Sequence, residues 1–239
     1  MNVHRLTSLG RGVLAPAVLA AVMVCTAGSA NAALMVSATV GGATTGANYV
    51  NFDNLALGGA GGTSGGVGVS FTGSGQVAQG GASGLYAAPF ISNSNAAPFG
   101  DATVSGQDTT RFISTGNAAA TLTFSGTQHY LGLLWGSVDL YNSLDFFLGA
   151  TAVGHVSGGD IFAAAAGDQG VMGTYYANIT SDLAFDRVVA SSSDYAFEFD
   201  NVAFGGASGV PEPAALGLLG LGLIGAAFFR RRRQPGSAA

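Results

Sequence analysis

The chain has 239 residues, of which 39 are glycine and only 9% are charged, and lysine is absent from it. All thirteen acidic residues lie between Asp53 and Glu212, where the only arginines are Arg111 and Arg187, so a nucleic acid is excluded as a partner because phosphate binding requires clustered lysine and arginine. The single cysteine, Cys25, lies within the first 32 residues, which excludes disulfides, cysteine-ligated zinc and a cysteine nucleophile from the rest of the chain.

Residues 1–32 are typical of a secretory signal peptide. A basic start precedes a mostly apolar stretch (residues 13–26), and Ala30 and Ala32 supply the small residues that signal peptidase requires. We therefore expect cleavage before Ala33 and export of the remaining chain. The alternative is a retained N-terminal anchor, for which the apolar stretch is short.

Residues 33–209 form the predicted extracellular domain. Short runs rich in β-branched and aromatic residues alternate there with clusters of Gly, Ser, Asn and Asp, and no long helical periodicity appears. This pattern predicts an all-β fold, an antiparallel β-sandwich of jelly-roll type. The predicted strands are residues 35–40, 48–54, 68–71, 121–124, 130–135, 144–148, 152–156, 171–179, 187–191 and 195–204.

Residues 57–84 differ from the rest of this domain. Gly, Ser, Ala and Thr dominate the stretch, and Val67, Val69 and Phe71 are its main apolar residues. The composition predicts a long mobile loop, or an edge strand with flexible flanks. Residues 93–98 are a predicted turn.

Two Asp-Asn pairs lie near the two ends of the domain, and they suggest calcium as a cofactor. In many jelly-roll carbohydrate-binding domains the first and last strands are neighbours and hold a structural calcium ion. If the strands near Asp53 and Asp200 are neighbours, these two carboxylates would share one ion, since calcium binds Asp and Asn oxygens. The alternative is that each pair caps a strand through local bonds to the backbone.

A second candidate site surrounds the only tryptophan of the chain. Trp135, Asp139, Tyr141 and Asn142 place two aromatic rings around a polar turn, and such a surface can bind sugars by stacking and hydrogen bonding. The alternative assigns Trp135 to the core, with Asp139 and Asn142 as turn formers.

No catalytic constellation stands out, and we expect that the protein is not an enzyme. A triad of Ser137, His155 and Asp139 has no support from its spacing. Residues 62–66 match G-x-S-x-G, but without the strand and helix that this motif requires. A glycan hydrolase with paired carboxylates remains the alternative, because the separation of two carboxylates is set in space.

The region from residue 210 to residue 234 carries the most specific signal. Pro211, Glu212 and Pro213 precede residues 214–229, which are uncharged. A cluster of four arginines follows: Arg230, Arg231, Arg232 and Arg233. A helix over the uncharged stretch would rise about 24 Å, enough for a thin bilayer. Arginines stay on the cytoplasmic side, so the domain would lie outside the membrane.

This order of motif, apolar helix and arginines resembles the PEP-CTERM sorting signal. The resemblance implies that an exosortase, a membrane-embedded transpeptidase, recognises the motif and cuts near it. These residues would then be recognition elements in a substrate. Residues 130–142 and 197–204 also resemble a family of exosortase-dependent bacterial surface proteins, which likewise implies a β-sandwich.

The combined prediction is an exported protein that is first anchored in the inner membrane and then sorted to the cell surface or extracellular matrix. We expect a non-enzymatic role in exopolysaccharide or biofilm. The expected partners are signal peptidase, exosortase and exopolysaccharide. The alternative is a secreted carbohydrate-binding or carbohydrate-active β-sandwich, with structural calcium.

Overall fold

The computed structural model describes residues 33–46 and 48–206, which form antiparallel β-structure with little helix, as the sequence predicted. The strands are β1 (Leu34–Thr39), β2 (Asn48–Val50), β3 (Gly62–Ser64), β4 (Val67–Phe71), β5 (Gln76–Gln79), β6 (Phe90–Ile91), β7 (Gly106–Gln107), β8 (Arg111–Ser114), β9 (Ala119–Gly136), β10 (Asn142–Leu148), β11 (Thr151–Ser157), β12 (Tyr175–Ser192) and β13 (Glu198–Gly205). The helices are α1 (Gly158–Ile161) and two single 3-10 turns, Ala97–Phe99 and Val171–Gly173.

The predicted signal peptide, with Ala30 and Ala32, lies outside the described residues, and so does the predicted sorting region at residues 210–234. Among residues 33–46 and 48–206, no helix has the length and apolar character needed to cross a membrane.

The two longest strands, β9 and β12, form the centre of the main sheet, and each has 18 residues. At one end of this pair, β12 also pairs with β1, and β9 also pairs with β13. At the other end, β12 pairs with β10, and β9 pairs with β4. The ladder between β9 and β12 is irregular from Thr180 to Arg187, where the two regions meet. The ring of Phe124 on β9 lies 5.1 Å from the ring of Phe204 on β13. The two regions therefore face each other across one core, as in a β-sandwich.

The region that contains β13 is buried on both faces. On β9, Trp135 packs in the main core, whereas Leu134 belongs to a second apolar cluster with Tyr176 and Phe99. Residues 86–110, which include β6 and β7, contribute to this second cluster, and we call them the covering segment. Because the covering segment lies over the outer face, side chains of β13 that alternate away from the main core are also removed from solvent.

Residues 57–84 form strands β3, β4 and β5, so the prediction of a long mobile loop is wrong. β4 lies between β3 and β9 and is not an edge strand. Val67 and Val77 are buried and anchor the stretch to the core. Gly65 and Gly66 connect β3 to β4 with φ of 53° and 83°. These are the left-handed conformations of a two-residue hairpin turn, and glycine adopts them without strain.

Four predicted strands belong to two longer ones. Residues 121–124 and 130–135 are both parts of β9, and residues 187–191 join most of 171–179 in β12. The last predicted strand begins at Glu198 rather than at residue 195. Residues 93–98 form the predicted turn.

Candidate functional site

A cavity of about 200 Å³ lies where β13 begins. The connection from β9 to β10 contributes Ser137, Asp139 and Tyr141 to its lining, and the start of β13 contributes Glu198. The remaining lining residues are Gly84, Leu85, Tyr86, Ala166, Gly167, Gln169, Tyr195 and Ala196. The cavity is therefore bounded by polar groups and three tyrosines.

Glu198 is the most buried acid of this cavity, with 2% of its surface exposed. Its Oε1 accepts a hydrogen bond of 3.0 Å from the N–H of Ala87, while Oε2 has no partner of normal geometry. Burial, with a smaller contribution from the charge of Asp139, raises the pKa of Glu198 to about 8. The raised pKa favours the protonated carboxyl, which is a hydrogen-bond donor as well as an acceptor.

Asp139 lies near Glu198, and the chain at Gly167 packs against it. The N–H of Gly167 donates to the carbonyl of Val138 at 3.0 Å. Gly167 has a φ of +66°, and a Cβ there would lie 2.7 Å from Oδ2 of Asp139, so only glycine leaves room for this carboxylate. Burial raises the pKa of Asp139, and the neighbouring hydroxyl of Tyr141 lowers it in part.

The structure separates the predicted ligand face into two halves. Asp139 and Tyr141 line the cavity. Trp135 does not: it is fully buried, and its ring stacks on that of Phe197 with centroids 4.2 Å apart. Asn142 is 1% exposed, and its Oδ1 accepts a hydrogen bond of 2.9 Å from Ser192. Trp135 is therefore a core residue, and Asn142 has a structural role. The prediction that these two residues belong to a ligand face is wrong.

Neither nucleophile pattern is assembled. Ser137 and Asp139 share the cavity, but His155 lies elsewhere, on β11, where its Nδ1 is 2.7 Å from Oδ1 of Asp145. Ser64, the serine of the G-x-S-x-G match, is buried in the β3–β4 hairpin, and its hydroxyl donates to Asn54. No helix follows this serine, so the sharp strand-to-helix turn of a hydrolase is absent there.

A second group of acids lies between β13 and the covering segment. Asp200 on β13 is 0% exposed, and Asp108, which follows β7, is 2% exposed. Their carboxyl groups are close enough to share a hydrogen bond when one is protonated. Burial, followed by the charge of Asp108, raises the pKa of Asp200 well above its usual value; the N–H of Asn201 offsets part of this rise without forming a well-aligned hydrogen bond.

The sequence analysis predicted that Asp53 and Asp200 share a calcium site if the strands near them are neighbours. In the structure β2 and β13 are antiparallel neighbours. Asp53 lies near enough for its charge to raise the pKa of Asp200. However, both oxygens of Asp53 accept hydrogen bonds, from the N–H of Arg111 at 2.9 Å and from Nδ2 of Asn51 at 2.8 Å. Within the described residues, no group of three or more His, Cys, Asp or Glu side chains is arranged to hold a metal ion.

Sequence reasoning missed Glu198 and Asp108. The signal for Glu198 was its position between two core phenylalanines on an alternating strand, which points it to the opposite face of the sheet. In the sequence, Asp108 was recognisable only as a turn former. In the structure, its Oδ1 accepts hydrogen bonds of 2.7 Å and 2.6 Å from the N–H and the hydroxyl of Thr110. Its proximity to Asp200 appears only in the folded chain.

A family model for the PEP-CTERM protein-sorting motif matches residues 209–233. The match includes Pro211, Glu212 and Pro213, together with the cluster that ends at Arg233, and it confirms the resemblance seen in the sequence. No curated protein and no solved structure matches the chain. The chain therefore carries a PEP-CTERM sorting motif and is an exported, membrane-anchored precursor that an exosortase sorts to the cell surface.

Proposed function

We propose that the described domain is a non-enzymatic surface module that binds extracellular polysaccharide in an exopolysaccharide or biofilm matrix, and that the cavity beside Tyr141 is its binding site. The observation that carries this proposal is the lining of the cavity, where tyrosine rings surround two buried carboxyl groups. The sorting motif supports this proposal, because a protein sorted to the cell surface can meet extracellular polysaccharide.

The lining suits the chemistry of a sugar unit. Tyr141 and Tyr195 are 37% and 39% exposed, so their rings are accessible to the C–H face of a sugar. Sugar hydroxyls can donate to the carboxylate of Asp139, and Glu198 lies behind it in the lining. The hydroxyl of Tyr141 donates to the carbonyl of Tyr195 at 3.2 Å, which fixes its ring at the rim.

The volume of the cavity and the charge of the domain restrict the class of polysaccharide that can bind. A cavity of about 200 Å³ is smaller than the roughly 300 Å³ at which ligand pockets usually begin. We therefore expect one unit of a polymer to enter, with its neighbours lying over the tyrosine rim. Arg111 and Arg187 are the only arginines among the described residues, which also contain no lysine, so we expect a neutral polysaccharide rather than an acidic one.

The proposal is tested by retention of the full-length protein, in detergent, on polysaccharide extracted from the native cell surface. We expect Tyr141→Ala to lower retention about tenfold or more, equivalent to about 1.4 kcal/mol. Tyr49→Ala is the matched control, because Tyr49 is also an exposed tyrosine, at 44%, and does not line this cavity. Equal retention of the two variants, or no retention of the wild type, would count against the proposal.

A glycan hydrolase is the second candidate, because Asp139 and Glu198 face one cavity, as the acid and the second carboxylate of such enzymes do. Release of reducing ends from the same polysaccharide distinguishes the two functions. Hydrolysis by the wild type that Glu198→Gln abolishes would favour the enzyme. Retention without new reducing ends favours the binding module.

A further inference from the structure

We propose that the sugar cavity beside Tyr141, here the first cavity, continues into a second cavity, and that the two together bind consecutive units of one polysaccharide chain. This inference rests on the proposed function and deepens it, because it gives the units that follow the first one a site of their own. The second cavity has a volume of about 370 Å³ and lies where β5 begins. The residues that line only the second cavity are Gly59, Gly73, Ser74, Gly75 and Gln76.

Two side chains are shared by the two cavities. Leu85 and Tyr195 line both of them, so they lie between the first cavity and the second. Leu85 is 46% exposed and Tyr195 is 39% exposed, which leaves the leucine side chain and the tyrosine ring accessible to the C–H face of a sugar. A polymer that leaves the first cavity across these two side chains therefore enters the second.

Hydrogen bonds hold both shared residues in place. The N–H of Leu85 donates to the carbonyl of Ala82 at 2.9 Å. The N–H of Tyr195 donates to Oδ1 of Asp194 at 2.8 Å, and its carbonyl accepts the hydroxyl of Tyr141 at 3.2 Å. The passage between the cavities is thus formed in the free protein, and a ligand that crosses it has little ordering of the chain to offset.

The turn from β4 to β5 forms one side of the second cavity. The N–H of Gly75 donates to the carbonyl of Thr72 at 2.9 Å, and the hydroxyl of Ser74 donates to Oδ1 of Asn117 at 2.6 Å. A Cβ at Gly75 would lie 2.9 Å from the carbonyl oxygen of Ala119, so glycine is required for this close approach. The three glycines of the lining leave space that side chains would otherwise fill.

The two cavities differ in charge and in size. The first contains Asp139 and Glu198, whereas the residues that line the second are all uncharged. Gln76 is half-buried there, and its amide both donates and accepts hydrogen bonds, as sugar hydroxyls do. The volume of the second cavity lies within the range of about 300–1,000 Å³ that is usual for ligand pockets. This combination fits a neutral chain that places one unit in the first cavity and the following units in the second.

The proposal is tested with disaccharide and octasaccharide fractions of the polysaccharide extracted from the native cell surface. Isothermal titration calorimetry with the full-length protein in detergent measures the affinity for each fraction. Linked units bind cooperatively, because a unit held in the first cavity raises the effective concentration of the next unit at the second. We therefore expect the wild type to bind the octasaccharide about tenfold more tightly than the disaccharide, or better.

Gln76→Ala changes the second cavity alone. It should weaken octasaccharide binding about threefold to tenfold, the effect of one lost hydrogen bond, and leave disaccharide binding unchanged. Gln107→Ala is the matched control, because Gln107 is an exposed glutamine on β7 that lines neither cavity. Tyr141→Ala should weaken the binding of both fractions.

The outcomes separate this inference from the proposed function. Equal affinity of the wild type for the two fractions, or an equal effect of Gln76→Ala on both, overturns the second cavity as a site while the proposed function stands. Binding of neither fraction by the wild type removes the proposed function and this inference with it. The comparison of fragment lengths in the wild type does not depend on the folding of any variant.

Discussion

The indole of Trp135 stacks on the ring of Phe197, with centroids 4.2 Å apart and planes 20° apart. This contact joins the end of β9 to the chain that enters β13, and two residues of the cavity lining, Ser137 and Glu198, follow Trp135 and Phe197 within two positions in the sequence. The aromatic pair therefore belongs to the core and does not line the cavity.

Removing the ring of Phe197 should destabilise the domain. We expect Phe197→Ala to lower the free energy of unfolding by about 3–5 kcal/mol, because a buried aromatic ring is lost and Trp135 loses its stacking partner. Leu140→Ala is the control, since Leu140 is 60% exposed and should change stability by less than about 0.5 kcal/mol. Denaturant unfolding, followed by tryptophan fluorescence, measures both; similar values for the two variants would contradict the packing described here.

Gly167 should be required for sugar binding as well as for its backbone conformation at positive φ. Gly167→Ala and Gly149→Ala both place a side chain at positive φ, so each should cost about 1–2 kcal/mol of stability. Only the first places a Cβ against the carboxylate of Asp139; nothing lies within 4 Å of a Cβ at Gly149. We expect Gly167→Ala alone to reduce retention on polysaccharide. Equal losses in both variants would mean that Asp139 does not contact the ligand.

Glu198 should make stability depend on pH. Its pKa in the folded chain is about 8, above the value of 4.5 for an unperturbed group, so the folded state holds a proton that the unfolded state releases. The contribution of Glu198 to the free energy of unfolding is complete below about pH 4.5 and is lost as the pH rises through 8. The free energy of unfolding should fall by up to about 1.4 kcal/mol per pH unit in this range.

Glu198→Gln should flatten this slope, whereas Asp168→Asn, at an exposed acid, should not. Denaturant unfolding in EDTA at several values between pH 5 and 8 gives the slopes directly. A slope in Glu198→Gln as steep as that of the wild type would show that another group titrates.

Processing at the two ends of the chain can be followed by intact-mass and terminal-peptide analysis of protein recovered from the native cell surface. We expect an N-terminus at Ala33 and loss of the arginine cluster after exosortase cleavage. Glu212→Ala should leave the precursor with its arginines in the membrane fraction, while Gln234→Ala, beyond the cluster, should be processed normally. Arginines that persist in the wild-type surface protein would indicate an ordinary anchor.

Local patterns were enough to predict the strands and the all-β class, because period-2 alternation is a property of each segment. They failed where a polar stretch continues a strand. Residues 125–129 separate two predicted strands, but in the structure they belong to β9, where Gln128 is paired with Phe185 of β12. They also failed at residues 57–84, where glycine content concealed strands held by buried valines.

The sequence by itself determined that the chain is exported and sorted, since a short linear motif is read by its residues and their order. It also determined which face of β13 holds phenylalanine and which holds acids. Only the tertiary structure decided what those acids do. The covering segment buries Glu198 and Asp200 and brings Asp108 to the latter from 92 positions away. Burial and proximity are properties of the packed chain, and these determine the protonation and the ligands of a carboxylate.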